Sequence, residues 1–350
     1  MRWPDAWGRP RARGTRRCSR GRRSATPIVR CIEALHRDAR VGPSRFLLPA
    51  GGLDRHCNAG GAMMVMIYEP LYEQGQILSE PAFHELRLAD NSHAAWREFR
   101  ILVDFWRRGD HRGKGKVGIF SPKFGLKTRV DASRFLTFVD RHGDVDVCLI
   151  NPFPQIPYYS YNVWMQGEIN HPGLTARSQA LVDAVGLKWD LHAVPRHGHQ
   201  VLCYSNFWVG TERFWDAYVG GVLDPLATFL ERNSDDEAAR AVMGDTWHSD
   251  AAPFLPFIVE RLFSTFLSLC PELKVAAYQF DDVLSYCLTD YERELVDGMR
   301  PIVDAADASG QFPRDLIAMQ DLACRLYVRY AREHFAANQH PHTGRTVSSA

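Results

Sequence analysis

From residue 63 to about residue 335, short apolar runs alternate with amphipathic segments, and this alternation restricts the chain to an α/β architecture. MMVMIY (63–68), KVGIF (116–120), VDVCLI (145–150), QVLCYSNFWV (200–209) and LKVAAYQF (273–280) read as strands. KVGIF and VDVCLI are continuously apolar over most of their length, as strands covered on both faces are. Between them, Trp96, Phe99, Leu102, Val103 and Trp106 recur at helical spacing, and Gly109 ends that helix. Asp131 can cap a helix whose Phe135, Phe138 and Val139 face inward. LTARSQALVDAVG predicts a helix stopped at Gly186, and Thr211 is placed to cap a helix from Glu212. In PFIVERLFSTFLSL one side carries Ile258, Val259, Leu262, Phe263, Phe266 and Leu267. The other side carries Glu260, Arg261, Ser264, Thr265 and Ser268.

The formal charge of +1 averages two unlike parts. Residues 1–62 hold 14 of the 42 basic residues, all Arg, and only 4 of the 41 acids, which leaves 28 basic and 37 acidic residues beyond them, a net of −9. A basic arm for nucleic acid or anionic lipid, or a targeting peptide, are functional accounts of such a block. The absence of Lys, of periodicity and of an apolar run after the arginines points instead to a disordered or non-native extension. The Met63–Met64 pair stands directly before the first strand. The remainder divides into a domain over 63–285, a helical addition over 286–335 and a flexible polar tail over 336–350. The acidic remainder argues against a nucleic-acid partner. No apolar run reaches the length of a membrane span, although peripheral attachment stays open. Eight cysteines without CxxC spacing, several inside apolar runs, read as reduced buried thiols of a cytoplasmic protein.

Ligands of open α/β sheets gather beyond the carboxyl ends of the strands, so residues at those ends are the first candidates. Asn151 follows VDVCLI directly, and Asn206 is read near the end of QVLCYSNFWV, where an amide offers both a donor and an acceptor. Asn206 serves equally well as a buried satisfier of backbone groups. In the long irregular stretch after Asn151, Glu168 and His171 follow Trp164. A carboxylate beside an imidazole can take a proton from a hydroxyl, and a helix cap or surface pair accounts for them nearly as well. Asp144-Val-Asp146 has the Asp-x-Asp form that binds divalent ions. It precedes its strand, at the wrong end for a ligand. His192, His197 and His199 have no standard zinc spacing, and RGKGK lacks the full phosphate-loop pattern.

Four stretches, in order, resemble a glycosyltransferase family of bacterial capsular and exopolysaccharide synthesis. LADNSHAAWREFRILVDFWRR with KVGIFSPKF is similar to its opening, and DVCLINP with VWMQGEINHPG to its middle. SNFWVGTERFWDAYVGGVLDPL resembles its Asn-aromatic strand and aromatic helix, and PFIVERLFSTFLS its final Glu-Arg-Leu helix. SPKFGLK departs from the family's usual aromatic-Arg-Arg run and leaves Lys123 and Lys127 as the cations.

The resemblance implies a GT-A-like, Rossmann-type nucleotide-sugar domain that transfers a sugar from a nucleotide-sugar donor to a glycan acceptor, in the cytoplasm or at the inner face of the membrane. It implies Glu260 or Glu168 as base, with His171 beside the latter. It implies Asp90, Asn91, Lys123, Asn151, Trp164, Asn206 and Arg261 as donor or acceptor contacts. No cofactor is fixed by it; Mn2+ or Mg2+ is the ion such a site would take, with Asp146 as its one candidate ligand. The alternative is a non-catalytic glycan- or nucleotide-binding relative within an assembly complex.

Overall fold

The computed structural model describes residues 64–88, 92, 94–246 and 252–346. The Arg-rich block 1–62, Asp90 and Asn91 lie outside the described residues. Three early strands, β1 (Val65–Leu71), β2 (His84–Arg87) and β3 (Lys116–Ile119), are joined by helix α1 (Glu98–Arg107) between β2 and β3. Helices α2 (Phe124–Thr128) and α3 (Ala132–Arg141) lead to β4 (Val147–Leu149). The aromatic stretch after β4 forms α4 (Ile156–Tyr159), α5 (Val163–Asn170) and α6 (Leu174–Ala184) before β5 (Trp208–Thr211).

Beyond β5, α7 (Glu212–Trp215) runs through a π-helical stretch, Asp216–Leu223, into α8 (Asp224–Arg232), followed by α9 (Glu237–Met243). A two-stranded ribbon, β6 (Asp245–Thr246) with β7 (Ala252–Pro253), precedes α10 (Phe254–Leu269) and β8 (Val275–Ala277). Helices α11 (Asp290–Ser309) and α12 (Arg314–Ala337) close the chain. No helix among the described residues is long and apolar enough to cross a membrane.

The main sheet is mixed and six-stranded, in the order β2-β1-β3-β5-β4-β8. β1 pairs parallel with β2 and β3, and β4 parallel with β8, while β5 runs antiparallel to both of its neighbours, β3 and β4. The pleat sends alternate residues to opposite faces, and the two cores follow that alternation. Val147, Leu149 and Trp208 enter the larger core with α1, α7 and α10, whereas Cys148, Ile150, Phe207 and Val209 enter the smaller one with Phe120, Phe124 and Phe135. Gly118 leaves the room this stacking needs, since a Cβ there would lie 2.5 Å from Val209 Cγ1.

Several local readings are realised by their expected chemistry. Asp131 Oδ1 accepts the N–H of Ser133 at 2.7 Å to cap α3, and Thr211 Oγ1 accepts that of Phe214 at 3.3 Å to cap α7. Gly109 and Gly186 follow their helices at φ 75° and 78°.

Three readings change. QVLCYSNFWV is not one long strand: only its end is extended, and Tyr204 to Asn206 form a turn before β5. Glu168 lies within α5 and His171 at its carboxyl cap, where the sequence suggested a loop. The polar side of α10 is not solvated either. Arg261, Ser264 and Thr265 are buried with the apolar side, because α5 packs over Arg261 and Thr265 and the segment at Cys203 bonds to Ser264.

Candidate functional site

A cavity of about 470 Å3 opens at the sheet edge where the parallel strands β3 and β4 end. The antiparallel β5 presents its amino end at that same edge, so the turn Tyr204–Ser205–Asn206 forms part of the wall. Asn206, read from the sequence near a strand's carboxyl end, stands instead in the turn before the amino end of an antiparallel strand. The other walls come from α4, α5, α10, α11 and α12, and the segment after α12 lies across them through His340, His342 and Thr343. The sequence reading left that tail flexible. His342 packs on Phe153 with centroids 5.6 Å apart, and His340 on Phe335 at 4.6 Å.

The turn is conformationally unusual. Ser205 and Asn206 both have positive φ, 64° and 53°, a region that Asn tolerates better than most side chains. Glu260 holds the turn by accepting the Ser205 N–H at 2.7 Å, and Lys127 Nζ donates to the Ser205 hydroxyl at 2.7 Å. Asn206 is 7% exposed and its Oδ1 is buried with no hydrogen-bond partner. A buried acceptor left unpaired costs about 1–3 kcal/mol.

Arg261 forms the floor and is 2% exposed. Its Nε donates to Val163 O at 3.0 Å, Nη1 to Phe257 O at 2.7 Å and Nη2 to Gln166 Oε1 at 2.5 Å, which leaves two of the five guanidinium protons unused. Among the described residues no carboxylate pairs with it. The Tyr204 ring lies 5.7 Å below the guanidinium, and its hydroxyl donates to the same Gln166 oxygen at 3.3 Å. Gly167 makes this geometry possible, because a Cβ at that position would fall 2.3 Å from Arg261 Nε.

Lys123 and Lys127 add positive charge to the same cavity. Burial lowers the Lys127 amine from its ordinary value, while the Glu260 carboxylate acts in the opposite direction. On the wall formed by α11 and α12, Glu292 is fully buried and accepts from Tyr159 OH at 3.0 Å, Gln155 Nε2 at 3.2 Å and Leu288 N at 2.6 Å. Burial pushes its carboxyl up, and the bonds from Leu288, Gln155 and the two tyrosines Tyr159 and Tyr327 pull it back only in part.

Of the sequence candidates, Lys123, His171, Asn206, Glu260 and Arg261 line the cavity together. His171 stacks on Phe257 with centroids 4.1 Å apart, and its Nδ1 lies 3.2 Å from Thr246 Oγ1. Glu168 does not line the cavity. Its two oxygens accept the N–H groups of Gly173 at 2.6 Å and Thr175 at 2.9 Å, at the start of α6. Burial alone would raise its carboxyl, but the Thr175 and Gly173 bonds more than offset that and hold it below the ordinary range. Glu168 is thus a helix cap, and a poor proton acceptor.

Asn151 and Trp164 are also outside the lining. Asn151 closes a turn with Phe153, through Nδ2 to O at 2.9 Å and N to Oδ1 at 3.2 Å, and Trp164 Nε1 donates to Thr265 Oγ1 at 2.9 Å inside the core. Asp146 accepts the Lys274 N–H at 2.9 Å at the opposite sheet edge. Among the described residues no three His, Cys, Asp or Glu side chains converge to hold an ion.

Gln155, Tyr159 and Glu292 are cavity residues that no sequence motif indicated. The one signal, Thr289 three residues before Glu292, reads as a helix capping box, and Thr289 Oγ1 does accept the Glu292 N–H at 3.1 Å. When the chain is compared with family models, with curated proteins and with solved structures, none of the three gives a match.

Proposed function

We propose that this chain is a glycosyltransferase that binds a nucleotide-sugar donor in the cavity and transfers the sugar to a glycan hydroxyl in bacterial surface polysaccharide synthesis. The observation that carries this reading is Arg261, a buried guanidinium that no carboxylate among the described residues pairs, with protons to spare at the floor of the cavity. A buried cation of that kind favours an anionic ligand, and a planar fork suits a phosphate. Lys123 and Lys127 extend the positive field toward the mouth, which matches a diphosphate better than a single carboxylate. The cavity's place beyond the strand ends agrees with a GT-A-like nucleotide-sugar domain.

In this reading the glycosidic C–O bond to the diphosphate breaks with its electron pair leaving on the phosphate oxygen, and Arg261 with the two lysines stabilises that charge. The acceptor hydroxyl oxygen forms the new C–O bond, and its proton passes to Glu260, whose Oε2 is the oxygen not engaged with Ser205. Asn206 Oδ1 accepts a donor from the bound sugar or base.

The binding-only alternative draws on one observation: Glu260 Oε1 already anchors the Ser205 turn, a structural duty sufficient to explain the residue. Two measurements separate the readings. Calorimetric titration with nucleotide sugars is expected to show binding, and a hydrolysis assay with the same donors is expected to show turnover that Glu260→Gln abolishes. Binding without turnover under every donor and acceptor condition would favour the alternative.

A further inference from the structure

Gln155 is 2% exposed, lines the cavity, and is held through one end only. Its Nε2 donates to Glu292 Oε1 at 3.2 Å, whereas its Oε1 is buried with no hydrogen-bond partner. The amide cannot turn over without placing its oxygen against the Glu292 carboxylate, which accepts and does not donate when ionised. Glu292 is itself fixed from three sides, by Tyr159 OH, by Leu288 N–H and by its place in the first turn of α11. The orientation of Gln155 is therefore set by its neighbours, and the acceptor it leaves open calls for a hydrogen-bond donor.

We infer that Gln155 Oε1 is a specificity-determining contact for a hydroxyl group of the transferred sugar, and that Glu292 is the residue that positions it. The inference rests on the nucleotide-sugar reading and deepens it. Arg261 and the lysines supply donors for the anionic part of the ligand, whereas Gln155 and Asn206 supply unpaired acceptors for a part rich in hydroxyls. A site built to accept a hydroxyl rejects the analogue that lacks the proton, because the buried acceptor then stays unpaired. Fluorine in place of that hydroxyl keeps size and polarity but removes the donor. Such a substitution tests the contact directly.

The experiment titrates the full chain with UDP, GDP, CDP, ADP and dTDP, with a hexose conjugate of each, and with the monodeoxyfluoro forms of the conjugate that binds. The wild-type protein is expected to discriminate against one deoxyfluoro form by about tenfold or more. Gln155→Met is expected to bring that ratio close to one while leaving affinity for the free diphosphate within about twofold. Glu292→Gln frees the amide to turn over and is expected to flatten the same ratio without a matching loss of diphosphate affinity. A merely structural role for Glu292 would instead weaken all ligands alike. Melting curves of each variant confirm folding, and Gln155→Leu gives a second apolar replacement should Gln155→Met not fold.

Binding of conjugates with discrimination unchanged in both Gln155 variants overturns this inference and leaves the nucleotide-sugar reading standing. Failure of the wild-type chain to bind any diphosphate or conjugate overturns both.

Discussion

The Glu260 carboxylate accepts the backbone N–H of Ser205 at 2.7 Å and so ties α10 to the turn that carries Asn206. Two consecutive residues with positive φ are held by this bond and by the Lys127 bond to the Ser205 hydroxyl. One oxygen of Glu260 thus maintains the shape of the cavity wall, and the proposed function assigns the other to the acceptor proton. Two substitutions separate these duties. Glu260→Gln keeps an acceptor for Ser205 and is expected to change stability by less than about 1 kcal/mol, while turnover falls roughly 10²-fold or more. Glu260→Ala leaves the Ser205 N–H without its partner and is expected to destabilise by about 1–3 kcal/mol. Thermal melts alongside a transfer assay check both, and wild-type turnover in Glu260→Gln removes Glu260 as the base.

Asn206 offers the opposite trade between stability and binding. Its unpaired Oδ1 opposes folding in the empty cavity, and its left-handed backbone favours Gly. Asn206→Gly is therefore expected to melt at or above the wild-type temperature while binding a nucleotide sugar about tenfold more weakly. A large fall in melting temperature with unchanged affinity would make Asn206 a satisfier of its own turn.

Gly167 reports on Arg261. Alanine is the better helix former by about 1 kcal/mol, so at an indifferent position in α5 the change would stabilise. Here the added Cβ meets Arg261 Nε at 2.3 Å and Leu174 Cδ2 at 2.6 Å, and Gly167→Ala is expected to destabilise and to displace the guanidinium. Calorimetry should then show weakened binding of free nucleoside diphosphate. Unaltered stability and affinity would show that Arg261 can shift without consequence.

Acid should loosen both the interior and the tail. Burial holds His197 at about 3, with Arg196 adding to the effect, against an ordinary value of 6.5. His342 is held at about 4 by burial first, and then by His340, Lys127, Arg129 and Lys123. Both rings are neutral in the folded protein, whereas their released forms take up protons below about pH 6.5. The unfolded state binds more protons in that window, so their contribution is complete above about pH 6.5 and is lost as pH falls toward 4 and then 3. Glu292, raised by burial, opposes this trend in part. Melting temperature is expected to fall from about pH 7 to about pH 5, and the protection of the amides of residues 338–346 against exchange, relative to the intrinsic rate at each pH, to fall with it. His342→Asn should remove most of the pH dependence of that protection, and an unchanged pH dependence of protection would exclude His342 as its source.

How much of this was legible from residues alone follows from which contacts are local. The apolar runs at 117–119 and 147–149 identify their strands, because continuous burial leaves a continuous pattern. Caps at Asp131 and Thr211 were legible for the same reason, since donor and acceptor lie two or three residues apart. Strand direction leaves no such trace. The run ending at Val209 has the same composition whichever way it pairs, and only tertiary pairing brings Asn206 to the cavity.

Arg261 reads as a surface residue on helical periodicity, yet α5 covers it, and no sequence pattern states that a neighbouring helix is cut away at Gly167 to admit it. Gln155 and Glu292 are 137 residues apart, and neither sits in a recognisable motif for binding. The site is legible where its chemistry is carried by one segment, and illegible where five helices share it.

The most direct test of the central claim is calorimetric titration of the full chain with nucleoside diphosphates and their sugars, in parallel with Lys123→Ala. Lys123 is exposed and lines the cavity, and among the described residues its side chain makes no hydrogen bond or ion pair, so its loss isolates charge from stability. At least one nucleotide sugar is expected to bind the wild-type chain, and Lys123→Ala is expected to bind it several-fold more weakly, with a shallower dependence on salt and an unchanged melting temperature. Absence of binding by every nucleotide and nucleotide sugar at millimolar concentration, from a chain that melts cooperatively, would contradict the account.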